Sequence, residues 1–208
     1  AISTKSTDAA VRFTPFIGAN CAYAILVPTA GAGQVDYPVS FVYIKSTEGR
    51  TYLNKYYAAD LRQAADEAYL WARTTFSALR AVVRCKPDIF CVIVSVPTDL
   101  PPVLDIEPTE RQIRRFGEAN MFREVRAWLR IVEKQCGKRP VLYISQQFFL
   151  DHLKNAPDLV RNYEFWIARY GQYMPYVRLL HWQLTLTDVS GIRGDVDVNV
   201  FNGTPEQF

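Results

Sequence analysis

The alternation of strand-like and helix-like segments is the feature that most constrains the fold of this chain. Short apolar runs rich in β-branched residues recur between stretches whose apolar residues are spaced as on one face of a helix. Such alternation favours a parallel sheet covered by helices. The predicted strands lie at 16–27, 40–44, 89–96, 103–106, 141–145, 164–168, 179–184 and 196–200. Seven or eight strands suggest a barrel, and the two close strands near the end suggest that its last part is not a regular β/α repeat.

The helical spacing predicts three helical regions. Residues 55–83 are rich in Ala and Leu and are predicted as one or two helices. Residues 110–136 are predicted as one long helix, which Gly137 ends. Residues 147–154 are predicted as a short helix. We find no repeat or long linker, and 208 residues suit a single α/β barrel, so residues 1–208 are expected to form one domain.

Composition narrows the classes of partner. Hydrophobic residues make up 49% of the chain and aromatic residues 13%, which indicates a globular protein and argues against disorder. The net charge of +3 suits an anionic polymer such as bacterial cell wall without selecting one. No basic cluster with interleaved aromatics is present, so no nucleic-acid partner is expected. No apolar run approaches the roughly 20 residues of a membrane span, and the first residues lack the core of a signal peptide.

Four cysteines and two histidines offer little for a metal site. The spacing of Cys21, Cys85, Cys91 and Cys136 does not match a zinc site, so no metal is expected. Buried thiols are the favoured interpretation. A disulfide between Cys85 and Cys91 is the alternative, and it leaves the redox compartment open.

The sharpest candidate for chemistry is the acidic pair Asp105 and Glu107 at the end of the predicted strand 103–106. Side chains alternate along a strand, so both face one side while Ile106 faces the helices. Neighbouring acids raise one another's pKa, so one can stay protonated as a general acid while the other stays ionised. Glycoside hydrolysis requires this combination. A salt-bridged, metal-binding or merely exposed strand end is the alternative.

A second acidic group follows near the end of the chain, where Asp195, Asp197 and Asn199 alternate on one face. Taken alone, it could be a calcium-binding turn or a loop packed on a barrel rim. Trp166 and Trp182 also lie near strand ends. Such rings can stack on sugars, although packing in the core or at the rim is an equal alternative.

Six segments, in order, resemble glycoside hydrolase family 25, the lysozymes also called N-acetylmuramidases. They are 41–49 (FVYIKSTEG), 100–107 (LPPVLDIE), 140–145 (PVLYIS), 165–170 (FWIARY), 181–183 (HWQ) and 191–203 (GIRGDVDVNVFNG). The resemblance implies an α/β fold, the irregular TIM-like barrel (β/α)5β3. It also implies a secreted, monomeric enzyme without a cofactor that cleaves the β-1,4 bond between N-acetylmuramic acid and N-acetylglucosamine in bacterial peptidoglycan.

Roles within the site follow from the same resemblance. Glu107 would be the general acid, and Asp105 would assist the N-acetyl group of the substrate as it attacks the anomeric carbon. Asp197 would shape the charge of the site. The residues implied to line the substrate groove are Tyr143, Trp166, Arg169, Trp182 and Gln183.

The first third of the chain departs from the family pattern. Asn20 stands where the family has an acidic Asp, and it is assigned to substrate binding. Leu70 stands where a strand with His is expected, although the residues around it predict a helix. The loss of one negative charge at Asn20 would ease ionisation of the other carboxylates and weaken catalysis. The alternatives are an inactive barrel that only binds cell-wall glycan, and a designed barrel with no ligand.

Overall fold

The computed structural model describes residues 21–25, 39–48, 52–59, 62, 70–77, 100–188 and 195–202. Within these ranges the chain forms a mixed α/β structure with a nine-stranded sheet. The strands are β1 (Cys21–Ile25), β2 (Val39–Glu48), β3 (Tyr52–Leu53), β4 (Leu70–Ser77), β5 (Val103–Ile106), β6 (Val141–Ser145), β7 (Glu164–Ala168), β8 (His181–Asp188) and β9 (Asp195–Phe201). The helices are α1 (Glu110–Phe116), α2 (Glu118–Cys136), α3 (Gln146–His152) and α4 (Pro157–Asn162), with a 3-10 turn at Leu153–Asn155.

Most of the sheet is parallel. Strands β2, β4, β5, β6, β7 and β8 lie side by side in that order, and each pair is parallel. Strand β9 pairs antiparallel with β8. Strand β1 pairs antiparallel with β2 and parallel with β9, where Ala22 lies opposite Asp197. Strand β1 therefore has both β9 and β2 as partners.

The predicted strands at 40–44, 103–106, 141–145 and 164–168 are confirmed, and β1, β8 and β9 overlap the other predicted segments. The segment 89–96 lies outside the described residues. The helix predicted across 55–83 is wrong at 70–77, where β4 begins at Leu70. Strand β4 pairs with β2 on one side and β5 on the other, and this pairing overrides the helical preference of its Ala-rich surroundings.

The long helix predicted at 110–136 is two helices. Gly117 separates α1 from α2 and has a φ of 89°, a backbone conformation that side chains disfavour. Thr109 begins α1 with a capping box, because its side chain accepts from the Gln112 backbone while the Gln112 side chain accepts from the Thr109 backbone. The predicted end at Gly137 is confirmed, where a left-handed glycine donates its N–H to the Glu133 carbonyl.

Alternation along the strands separates two apolar clusters. The outer cluster lies between the helices and the sheet and includes Ile106, Met121 and Trp128. The inner cluster includes Tyr43, Tyr143 and Trp166. Asp105 precedes Ile106 in the strand, so it points to the inner side, as the pattern predicts.

His152 ties three helices together behind the site. Its Nδ1 lies 2.6 Å from a Glu118 oxygen, and its Nε2 lies 2.9 Å from a Glu110 oxygen. Asn155 donates to the second Glu118 oxygen, and Arg114 lies beside Glu110. Burial lowers the pKa of His152, but the hydrogen bonds to the two glutamates outweigh burial and leave the pKa raised. The imidazole therefore joins α3 to the start of α1, which follows the strand end that carries Glu107.

Candidate active site

The candidate site is built around the last part of β5. Asp105 is the third residue of the strand and is 1% exposed, whereas Glu107 follows the strand and is exposed. In the parallel sheet Asp105 lies in register with Tyr143 of β6, which lies in register with Trp166 of β7. Trp166 in turn pairs with His181 of β8. These four inward-facing residues form one row across the sheet beneath Glu107.

Asp105 and Glu107 interact electrostatically with a third acid, Asp197 of β9. Burial raises the pKa of Asp105 well above its usual range, and the nearby Glu107, Asp197 and Glu48 raise it further, while Lys45 opposes them. The pKa of Glu107 is raised by partial desolvation and then by Asp197, again against Lys45. The acids of the two segments therefore repel one another, and this repulsion favours a protonated carboxyl group among them.

Asp197 is held through a chain of side-chain hydrogen bonds. The Tyr143 hydroxyl donates to Oε1 of Gln183, and the Gln183 side chain hydrogen-bonds Asp197. Burial raises the pKa of Asp197, and the bond from Gln183 partly opposes that rise. Burial and then the surrounding carboxylates, Glu107 first, raise the pKa of Tyr143, so its hydroxyl stays protonated and keeps its role as donor.

Asn199 links β9 to Trp166 of β7. Its Oδ1 accepts from the ring N–H of Trp166 at 2.8 Å, and its Nδ2 donates to the Asp197 carbonyl at 2.9 Å. Trp166 is 2% exposed, and its ring centroid lies 4.9 Å from that of Tyr43 and 5.2 Å from that of Tyr143. This tryptophan forms the packed floor of the site, so the core-packing alternative describes it better than an exposed sugar platform.

Of two residues expected in the groove, Trp182 faces the outer side of β8, and Arg169 follows the carboxyl end of β7. Trp182 packs against the outer cluster, and its ring N–H donates to the Arg169 carbonyl at 2.7 Å. The reason is alternation along β8, which turns Trp182 away from the inward Gln183. The Arg169 guanidinium donates to the Met174 carbonyl at 2.8 Å, and it stacks on Tyr176. The two residues therefore support the connection between β7 and β8. Asn20 lies outside the described residues.

Sequence reasoning missed Lys45, Tyr170 and His181. Lys45 is a nearly buried cation near the carboxyl end of β2, and its ammonium lies 2.6 Å from a Glu48 oxygen. A lysine that directly follows an apolar strand was the available signal. The pKa of Tyr170 is raised by burial, then by the charges of Asp197 and Glu107. Burial lowers the pKa of His181 to about 3, so this histidine is neutral.

Among the described residues, no group of three or more His, Cys, Asp or Glu side chains is arranged to hold a metal ion. In that same part of the chain, no helix has the length and apolar character needed to cross a membrane. Cys21 begins β1 and Cys136 ends α2, while Cys85 and Cys91 lie outside the described ranges.

Comparison with known sequences gives a family match and several relatives. The family model "Glycosyl hydrolases family 25" matches residues 32–190. The uncharacterised protein YegX of Escherichia coli O157:H7 is 29% identical over 175 residues, which are 82% of this chain and 62% of YegX. Lysozyme M1 of Streptomyces globisporus is 28% identical over 185 residues, covering 80% of this chain and 61% of that protein. The chain therefore spans about 62% of the length of these curated relatives.

Solved structures resemble the fold closely. A bacterial lysozyme from Streptomyces coelicolor has a TM-score of 0.72 at 22% identity, with 92% of this chain and 95% of that chain covered. A muramidase from Trichobolus zukalii has a TM-score of 0.71 at 18% identity, with 91% and 96% covered. At these identities the likeness establishes a common fold.

Proposed function

Because the chain belongs to glycosyl hydrolases family 25, we propose that it is a lysozyme-type hydrolase of bacterial peptidoglycan. The bond that it cleaves is the β-1,4 linkage between N-acetylmuramic acid and N-acetylglucosamine. One arrangement carries the proposal: Tyr143, in register with Asp105, is linked through Gln183 to Asp197 of β9, and Asp197 raises the pKa of both Asp105 and Glu107. These contacts support a shared site for the three carboxyl groups, and glycoside hydrolysis commonly uses a pair of such groups, one of them as the proton donor.

Glu107 is the proposed general acid. It stands at the exposed strand end, where substrate can reach it, and its raised pKa keeps a proton available. That proton passes to the glycosidic oxygen as the bond from this oxygen to the anomeric carbon breaks. The Glu107 carboxylate then takes a proton from the water that completes hydrolysis.

Asp105 is proposed to assist the N-acetyl group of the sugar. The acetamido oxygen attacks the anomeric carbon, and positive charge develops on the ring that this attack closes. Asp105 is the carboxyl group proposed to face that charge, so its interaction with the substrate is stronger in the transition state than in the ground state. Water then attacks the anomeric carbon and reopens the ring.

Asp197 is proposed to set the charge of the site, and Tyr143 and Gln183 hold it in place. Lys45 limits the rise in the pKa of both other acids. The pairing of β1 with both β9 and β2 supports the further proposal that the sheet is the irregular barrel (β/α)5β3. Residues 1–208 are proposed to form one monomeric domain. Acting on cell wall places the protein outside the cell that makes it.

The test is release of reducing ends from purified peptidoglycan by the wild-type protein and by Glu107→Gln. Loss of the general acid is expected to reduce the rate about 10²- to 10⁴-fold. Glu124→Gln makes the same chemical change on α2, where Glu124 pairs with Arg123, and is expected to leave the rate unchanged. Equal rates for wild type and Glu107→Gln would refute the assignment. A protein that binds cell walls without releasing reducing ends would be the binding-only barrel.

A further inference from the structure

The connection from β7 to β8 exposes an unusual amount of aromatic surface. Within seven residues Tyr170, Tyr173, Met174 and Tyr176 are all exposed, and Tyr173 and Tyr176 reach 75% and 70%. Exposed apolar groups scattered singly are ordinary, whereas several together indicate a binding surface. Tyr173 and Tyr176 lie between the segments 165–170 and 181–183 that carry the resemblance, and no step proposed above uses them.

This aromatic segment is held in a defined shape. Arg169 donates to the Met174 carbonyl at 2.8 Å, and its guanidinium carbon lies 5.5 Å from the centre of the Tyr176 ring. The N–H of Gly171, whose φ is 124°, donates to the Leu184 carbonyl at 3.1 Å. Both tyrosines therefore sit on a braced turn, and less conformational freedom is lost when they bind a ligand.

The segment lies at the same edge of the sheet as the acids. It leaves the carboxyl end of β7, and β5, β6 and β7 are parallel, so Glu107 stands at the same edge. The Tyr176 backbone N–H donates at 3.3 Å to Gln146, which begins α3 directly after β6. The segment therefore extends across the end of β6 towards β5. Tyr170, at its start, already interacts with Asp197 and Glu107.

We propose that Tyr173 and Tyr176 form a platform for a sugar ring of the glycan strand beyond the bond that is cleaved. The proposal rests on the function proposed above and extends it. The side chains from Tyr170 to Tyr176 carry no charge, and Arg169 is engaged by the turn itself. A neutral aromatic surface suits the C–H face of a pyranose, because the negative face of the aromatic ring attracts those hydrogens. Arg169 is a positioning residue for the platform.

The test measures binding of a soluble octasaccharide of alternating N-acetylglucosamine and N-acetylmuramic acid by titration calorimetry. All variants carry Glu107→Gln, so the ligand stays intact. Tyr173→Ala/Tyr176→Ala is expected to weaken binding about tenfold or more. Removal of one stacking aromatic side chain costs about that much in proteins that bind single-stranded nucleic acids. Tyr173→Phe/Tyr176→Phe keeps both rings and is expected to stay within about twofold. Leu150→Ala removes an exposed apolar side chain from α3 and is the matched control.

The binding measurements test the platform independently of whether the protein hydrolyses glycan. An affinity of the double alanine variant within about twofold of its parent would overturn the platform, as would an equal loss in the phenylalanine variant. Sedimentation that shows dimers lost only in the double alanine variant, with glycan affinity intact, would assign the surface to self-association and also overturn it. If the wild-type protein releases no reducing ends but the platform variants lose glycan affinity, the platform stands and the hydrolase proposal fails.

Discussion

Removal of the Tyr143 hydroxyl tests whether the site depends on the chain of hydrogen bonds from β6 to β9. In Tyr143→Phe the ring can remain packed against Trp166, because only the oxygen is lost. Oε1 of Gln183 then loses the donor that the structure gives it. Gln183 is 1% exposed, so bulk water cannot replace that donor without a change in packing.

The magnitude follows from two contributions. A hydrogen bond contributes about 1 kcal/mol net, and a buried acceptor left without a donor costs about 1–3 kcal/mol. We therefore expect the free energy of unfolding to fall by about 2 kcal/mol. For a domain of this size that corresponds to a Tm lower by about 4–8 °C. The hydrolytic rate should also fall, since Gln183 no longer holds Asp197 in one orientation.

Urea unfolding followed by circular dichroism measures the change in stability. Tyr163→Phe is the matched control, because it also removes one tyrosine hydroxyl. The Tyr163 side chain is half-buried, and its hydroxyl donates to Glu133 over a long distance of 3.4 Å. That variant should lose less than about 0.5 kcal/mol. If Tyr143→Phe were as stable as Tyr163→Phe, the hydrogen-bond chain would not stabilise the site, and the argument would be refuted.

Three further predictions follow from other parts of the structure. Asp197→Asn removes a charge that raises the pKa of Glu107, so the alkaline limb of the pH–rate profile should move to lower pH. His152→Gln should have a lower free energy of unfolding than wild type below a pH of about 6.5, the pKa of an unfolded histidine. Urea unfolding should show this stability deficit shrinking as the pH rises through the raised pKa of His152 in the folded protein. Met121→Ala, at a fully buried position of α2, should lose about 2–5 kcal/mol in urea unfolding.

Each of these has an outcome that would contradict it. An unmoved alkaline limb in Asp197→Asn would separate Asp197 from the general acid. A His152→Gln deficit that grows with pH would reverse the assigned sign. Met174→Ala, at an exposed methionine, is the control for Met121→Ala, and equal losses in the two variants would contradict the burial argument.

Sequence patterns predicted the elements that are locally consistent. Strands β5, β6 and β7 are short and apolar, and their pattern agrees with the pairing that the sheet gives them. Strand β4 could not be predicted in this way. Its place depends on β2 and β5, which lie on either side of it, and local helical preference gave the opposite answer. The break at Gly117 had a local signal, the glycine itself, but the surrounding helical spacing hid it.

The candidate site shows the same division. Asp105 and Glu107 were predictable because two residues on one strand share a side. The contacts of Asp197 with Gln183 and Tyr143 were not, since they depend on the registers of three strands. Trp182 was misplaced for the same reason, because the sequence did not show which residues of β8 face inward.

The pairing of Ala22 with Asp197 makes completion of the proposed site a late event in synthesis of the chain. A ribosome releases Asp105 and Glu107 with β5 well before it releases β9. The third carboxyl group therefore joins the site only after β9 has been synthesised and has docked between β8 and β1. Contacts between residues so distant in sequence form slowly. An incomplete nascent chain would thus carry Glu107, the proposed proton donor, without the Asp197 charge that raises its pKa, and the proposed activity would wait for β9.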